Sequence, residues 1–252
     1  KKIFDRAKKN KLIFFSSPFD ESAVNFLEKL KVPLYKIASY ENNHFPLLKR
    51  VAQTKKPIII STGLSTILEI KRSLKIINKY HNKVVILHCV SEYPTKLVNS
   101  NLNRIKELKK TFKKNMIGLS DHTNGIVSSI CATSLGVVAI EKHMKLKKND
   151  VSEDSKFSIL PNDLKELRNL SEEIFLSTFK KNKDKINKDN LFFRRSIYAS
   201  KDLKKNSIIN KFDIKTLRPN IGVDASLFKK VINKKINKNI EKNNPIYWKD
   251  LI

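Results

Sequence analysis

Six short apolar runs, each followed by an amphipathic stretch, restrict this chain more than any other feature. The runs cover residues 12–16, 34–39, 57–61, 84–90, 116–120 and 137–141. They are continuous rather than alternating, which suits strands covered on both faces. A 3.6-residue period predicts helices over residues 22–30, 46–54, 67–80, 102–112, 125–135 and 162–179. Strand and helix in regular alternation mean a parallel α/β architecture. Polar residues stand at the end of every run: Ser17, Lys36 with Ser39 and Glu41, Ser61-Thr62-Gly63, Ser91 with Tyr93, Ser120 to Thr123, and Glu141 with His143. An open doubly wound sheet collects its site at one switch point, whereas polar groups at every strand end suit a ring of loops over a barrel mouth. The expectation is a (β/α)8 TIM barrel. Six of eight strands are visible and the chain opens in what reads as the tail of a helix, so the barrel is expected to lack its first two strands here.

A barrel domain is expected over residues 1–180, followed by a linker over 181–193 in the almost apolar-free stretch KKNKDKINKDN and its neighbours. Residues 194–252 then carry short strand-like runs at 196–200, 208–209, 214–217 and 231–236, which predict a small β-rich domain. Arg218-Pro219-Asn220 falls on an exposed turn there, with Arg218 either a surface charge or a ligand-facing guanidinium. The formal net charge of +28 invites a polyanion partner. The lysines are spread over nearly every helix and linker, however, without a compact stripe interleaved with aromatics, so nucleic acid is not the expected partner. No apolar run is long enough to span a bilayer and no secretory leader is visible, so a cytoplasmic protein without a membrane partner is expected. Cys89 and Cys131, outside any CxxC pair, read as small buried hydrophobes.

Lys36 in LYKIAS is the sharpest local anomaly. An ammonium within an apolar strand needs an anion to meet it. Ser39, Ser61 with Gly63, and Ser120 would add hydroxyls and amides around it, a cradle for phosphate or carboxylate. His122 and His143 end two successive strands, and parallel strands joined by one helix lie side by side. Their spacing admits two readings, a two-imidazole metal site or two strand-end hydrogen bonds. Glu41, Tyr93, Glu141 and Asp154 are candidates to meet a polyhydroxylated substrate or to orient the imidazoles. His88 reads as a core histidine, and His44 and His81 carry no partner signal. No GxGxxG, Walker loop or GxSxG occurs.

Taken together, FFSSPFDESAVNFLEKLKVPLYKIASYENNHFPLL, KPIIISTG, ILHCVSEYPT, IGLSDHTNGI, IEKHMKL and DSKFSILP closely resemble the sialic-acid synthase family, which condenses phosphoenolpyruvate with an N-acetylated sugar. RRSIYASKDLKKN and TLRPNIG resemble that family's carboxy-terminal SAF domain, similar to type III antifreeze protein. The resemblance implies a divalent metal, manganese in the first place with magnesium or cobalt as alternatives, on His122 and His143. It implies that Ser17, Lys36, Ser39, Ser61 and Ser120 surround phosphoenolpyruvate, with Lys36 and the two histidines as the catalytic set. Ser91 departs from the asparagine some members carry there. Glu41, Tyr93 and Asp154 fall where the family meets the sugar, as does Arg218, which the family presents across a domain-swapped homodimer. The family's first two strands also supply a glutamate and a lysine, and neither has a counterpart in these residues. SYENNHFPLL and DSKFS look closer to pseudaminic acid synthases than to N-acetylneuraminate or legionaminate synthases. Two readings of other classes stand beside this one: a degenerate barrel that binds sugars or anions without catalysis, and a basic nucleic-acid binder.

Overall fold

The computed structural model describes residues 2–180 and 188–252, which divide into two compact units, Lys1–Lys180 and Lys181–Ile252. In the first unit the helices are α1 (Lys2–Lys9), α2 (Glu21–Lys29), α3 (Phe45–Gln53), α4 (Ile67–Ile77), α5 (Asn103–Thr111), α6 (Val127–Ser134) and α7 (Pro161–Phe179). Its strands are β1 (Tyr35–Ile37), β2 (Ile58–Ser61), β3 (Val84–Cys89), β4 (Met116–Asp121) and β5 (Ile140–Lys142). All five pair in parallel in sequence order. The result is an open half-barrel with helices on its convex side.

Local chemistry explains the helix starts. Asp20 caps α2 by accepting from the Ala23 amide at 2.7 Å, Thr66 and Glu69 form a capping box on α4, and Pro46 and Pro161 stand in the first turns of α3 and α7. The chain has five glycines, so the left-handed residues after α2 and α3 are Lys31 and Lys55, at φ 57° and 59°.

Strand register sorts side chains into two faces. Tyr35, Ile37, Ile58, Ile60, Val84, Ile86, Ile117 and Leu119 turn outward into a continuous core with Val24, Leu27, Leu48, Val51, Ile70, Leu74, Ile105 and Leu108 of the helices. The alternate residues line the concave face. There Cys89, Ser120 and Glu141 stand in register across three strands. Gly118 is required by packing, because a Cβ at that position would come within 2.4 Å of Leu87 Cδ2 and 2.7 Å of the Ala139 carbonyl.

Two expectations about strands are corrected. Residues 12–16 form no strand: one hydrogen bond, from the Lys36 amide to the Ser16 carbonyl at 3.3 Å, joins them to β1, and Leu12 and Ile13 are exposed. A single bond makes no ladder. The last run is assigned as strand only over Ile140–Lys142: Val137 still bonds back to α6, while the Val138 amide and the Ala139 carbonyl already bond to Ile117 and Leu119 of β4, each at 2.9 Å.

The second unit contains α8 (Lys188–Leu191), β6 (Ser196–Ala199), β7 (Ile214–Leu217) and α9 (Phe228–Val231). The expected linker therefore ends in a helical turn, and its residues 181–187 lie outside the described residues. β6 and β7 pair antiparallel around a core of Ile197, Leu203, Ile209, Ile214, Val223, Val231, Ile236 and Ile246. The run at 231–236 is corrected: Val231 ends a helical turn, and strand-like pairing is confined to the isolated bridges of Lys235 and Ile236. Cys131 is corrected too, being exposed on α6 rather than buried. Among the described residues no helix is long and apolar enough to cross a membrane.

Candidate active site

At the carboxy-terminal ends of β1 to β5 the concave face opens into a cleft of about 410 Å³. Ser17, Lys36, Ser39, Ser61, Tyr93, Ser120, His122 and His143 all line it. All but Ser17 lie on or just past the ends of the five strands, so these sequence-predicted residues converge through the common direction of parallel strands.

One end of the cleft is an ammonium among hydroxyls. Lys36 is only 7% exposed, and its Nζ lies 3.2 Å from Glu141 Oε2. Ser120 Oγ donates to Glu141 Oε1 at 2.6 Å. Glu141 is thus the anion that makes a buried Lys36 tolerable, a partnership that register creates and local sequence does not display. Ser39 Oγ accepts from the Gly63 amide at 3.0 Å. Ser61 Oγ and Ser91 Oγ are buried without a hydrogen-bond partner, a costly state that an incoming anion would relieve. A Cβ on Gly63 would sit 2.4 Å from Ser91 Oγ and 3.1 Å from both Ser39 Oγ and Cys89 Sγ. Gly63 therefore keeps this end open. Cys89 also lines the cleft, and burial pushes its thiol up, so it stays protonated.

The other end is aromatic. The His122 and His143 rings lie 5.4 Å apart between centroids. Phe157 packs against both, at 5.8 and 4.9 Å, and Tyr93 lies 4.2 Å from His122. His122 Nδ1 is 2.9 Å from the Val90 carbonyl, and His143 Nδ1 is 3.2 Å from Asp154 Oδ2. An acceptor at each Nδ1 holds that nitrogen's N–H toward it and turns each Nε2 to the opposite side of the ring, where it has no partner among the described residues. Burial pushes His122 below its ordinary range, and nearby His143 adds to this against the Val90 hydrogen bond. Neutral imidazoles with Nδ1 held by a carbonyl or carboxylate are the form that binds divalent metals. Among the described residues no three His, Cys, Asp or Glu side chains gather as a ligand set, so a cation here would have these two imidazoles as its protein ligands. Burial pushes the Tyr93 phenol up to about 12, which keeps it a hydrogen-bond donor.

Four predicted residues stand outside the lining, Ser91 just behind Gly63 and three others. Glu41 follows Ser39 in a short 3-10 turn outside the cleft lining, with Oε2 buried and unpartnered. Asp154 is exposed and meets His143. Arg218 is exposed in the second unit. His88 is a core histidine, its Nε2 2.8 Å from the Ser100 carbonyl. Phe157 was missed because a lone phenylalanine reads as core.

Residues 1–183 match the NeuB family and residues 194–252 the SAF domain. The chain is 36% identical to pseudaminic acid synthase from Helicobacter pylori, over 99% of this chain and 74% of that protein. It is 35% identical to N,N'-diacetyllegionaminic acid synthase from Campylobacter jejuni, over 98% and 75%. The crystal structure of spore coat polysaccharide biosynthesis protein spsE from Bacillus subtilis superposes with a TM-score of 0.66 at 29% identity, over 100% of this chain and 76% of that one. This protein belongs to the NeuB family and carries an SAF domain after its half-barrel.

Proposed function

We propose that the protein is a nonulosonic acid synthase, a transferase that condenses phosphoenolpyruvate with the open-chain form of an N-acylated hexose to give a nine-carbon 2-keto acid and phosphate. The observation that carries this reading is one cleft with an ammonium among unpartnered hydroxyls at one end and two Nδ1-protonated imidazoles at the other. Lys36 and Ser39, Ser61 and Ser120 hold the phosphate and carboxylate, so that negative charge meets fixed donors. Ser17 and Ser91 complete that rim. Nε2 of His122 and of His143 would hold a divalent cation, Mn2+ in the first place, which supplies Lewis-acid polarisation of the sugar aldehyde. Asp154 and the Val90 carbonyl fix the ring orientations, and Phe157 with Tyr93 packs against the rings to hold them there. Carbon 3 of the enol phosphate then bonds to the aldehyde carbon, water adds at carbon 2, and the C–O bond to phosphate breaks.

For the sugar, the resemblance of SYENNHFPLL and DSKFS to pseudaminic acid synthases favours pseudaminic acid as product, made from a 2,4-diacetamido-trideoxy hexose, with legionaminic acid and N-acetylneuraminate as the alternatives. Glu41, Tyr93 and Asp154 belong to its recognition, and Arg218 joins them across a homodimer. Incubating the purified protein with Mn2+, phosphoenolpyruvate and each candidate sugar, and following phosphate release, tests both levels. Release with the pseudaminic acid precursor far above the alternatives, the legionaminic acid precursor and N-acetylmannosamine, supports the full reading. Preference for either alternative overturns the sugar assignment alone, and absence of phosphoenolpyruvate binding by calorimetry overturns the synthase reading. Sedimentation velocity checks the dimer.

A further inference from the structure

Behind the two imidazoles lies an ion pair that the chemistry above does not use. Asp121 and Lys142 stand opposite each other in the β4–β5 ladder, and their side chains are 1% and 2% exposed. Lys142 Nζ donates to Asp121 Oδ2 at 3.0 Å and to the Thr123 carbonyl. The Thr123 amide donates to Asp121 Oδ1 at 2.8 Å, and Ser129 Oγ on α6 donates to Asp121 Oδ2 at 2.6 Å. Both carboxylate oxygens are thus satisfied, and the ammonium has two acceptors.

The placement is specific. His122 lies between Asp121 and Thr123, which the carboxylate and ammonium hold together, and His143 directly follows Lys142. The His122 carbonyl is also tied, accepting from the Thr95 amide at 3.0 Å. A pair of apolar side chains here would fill the same volume without direction, and replacing buried ion pairs by such residues often leaves stability unchanged or higher. Direction is what charges add: the ammonium draws the turn after β4 toward the end of β5, and so sets how far apart the two imidazole-bearing backbones stand.

We propose that Asp121 and Lys142 are positioning residues, a buried cross-strand clamp that fixes the separation and orientation of His122 and His143. As a device for a metal-binding pair, the clamp rests on the function proposed above; as a device for ring geometry, it does not.

The test uses the full chain with the double substitution Asp121→Asn and Lys142→Met, which leaves no unpaired buried charge, beside Lys142→Arg. Thermal melting establishes that each variant folds. Imidazole 15N shifts in metal-free protein report the tautomers of His122 and His143, and Mn2+ binding is read by electron paramagnetic resonance without turnover. The parent is expected to hold both rings as Nδ1–H tautomers. The folded double variant is expected to show mixed tautomers and Mn2+ binding weakened about 10–100-fold, the usual cost of losing a group that orients a ligand, with Lys142→Arg recovering most of it. A folded double variant with parental tautomers and affinity within twofold overturns the clamp. A parent whose fixed tautomers are lost in the double variant, but which binds no Mn2+, overturns the metal reading and leaves the clamp standing.

Discussion

The two faces of the five-stranded sheet are built from the same strands, often from adjacent residues, under opposite rules. Ile58 and Ile60 turn outward into helices, while Ser61 turns inward to the cleft with its hydroxyl unpartnered. Tyr35 and Ile37 join the outer core, while Lys36 between them reaches Glu141 across the concave face. The outer face is held by volume and burial, and tolerates what keeps both. The inner face keeps polar groups that contribute little to folding and are legible as preparation for a ligand.

The widest expected contrast is at neighbouring residues of β2. Ile60→Ala empties a fully buried site and is expected to destabilise by about 2–5 kcal/mol, whereas Ser61→Ala removes an unpartnered hydroxyl and leaves the denaturation midpoint unchanged or slightly raised. Chemical denaturation of both variants would break the comparison if the two losses were alike. Next comes Lys36→Met. Removing a charged donor from the anion end is expected to weaken phosphoenolpyruvate by about 1.5–3 kcal/mol, a factor of roughly 10–150, with stability within about 1 kcal/mol of the parent because Glu141 keeps solvent access and Ser120. Calorimetry of phosphoenolpyruvate binding, beside melting, separates the two. Smaller again is Gly63→Ala, whose methyl would enter the space beside Ser91, Ser39 and Cys89. About tenfold weaker phosphoenolpyruvate binding is expected, about 1.4 kcal/mol, with sugar binding unchanged.

The smallest effect concerns the outer face's own charge. Glu28 accepts from the Tyr35 hydroxyl at 2.6 Å and from Lys56 at 2.5 Å. Burial would raise its carboxyl, but these hydrogen bonds outweigh that and hold it below its ordinary range. A carboxyl depressed by folding adds stability above its unfolded value, about 4.3, and loses it as pH falls through the folded one. Melting temperature should thus fall on acidification through that region, and Glu28→Gln should flatten the slope. An unchanged slope would show that this outer-face charge adds nothing to the stability supplied by volume and burial.

Much of this was legible in one dimension. Helix boundaries fell within about three residues because caps and the 3.6-residue period are local signals. Lys36 announced itself as a charge in an apolar strand, and His122 and His143 by ending successive strands. Residues 12–16 misled because an apolar run becomes a strand only where a neighbour offers a ladder, and they have one bond. Cys131 misled because an apolar helix still has an outward side.

The sequence alone determined that strands and helices alternate, that parallel strands would bring their polar ends together, and that Lys36, Ser61, Ser120, His122 and His143 would be among them, since periodicity and strand direction are properties of neighbouring residues. Only the tertiary structure decided that Glu141 answers Lys36, that Asp154 holds His143, and that Asp121 meets Lys142 behind the imidazoles. Each of these pairs joins residues from different strands or loops, and the strength of a charge pair depends on separation and burial, which are set by register and packing.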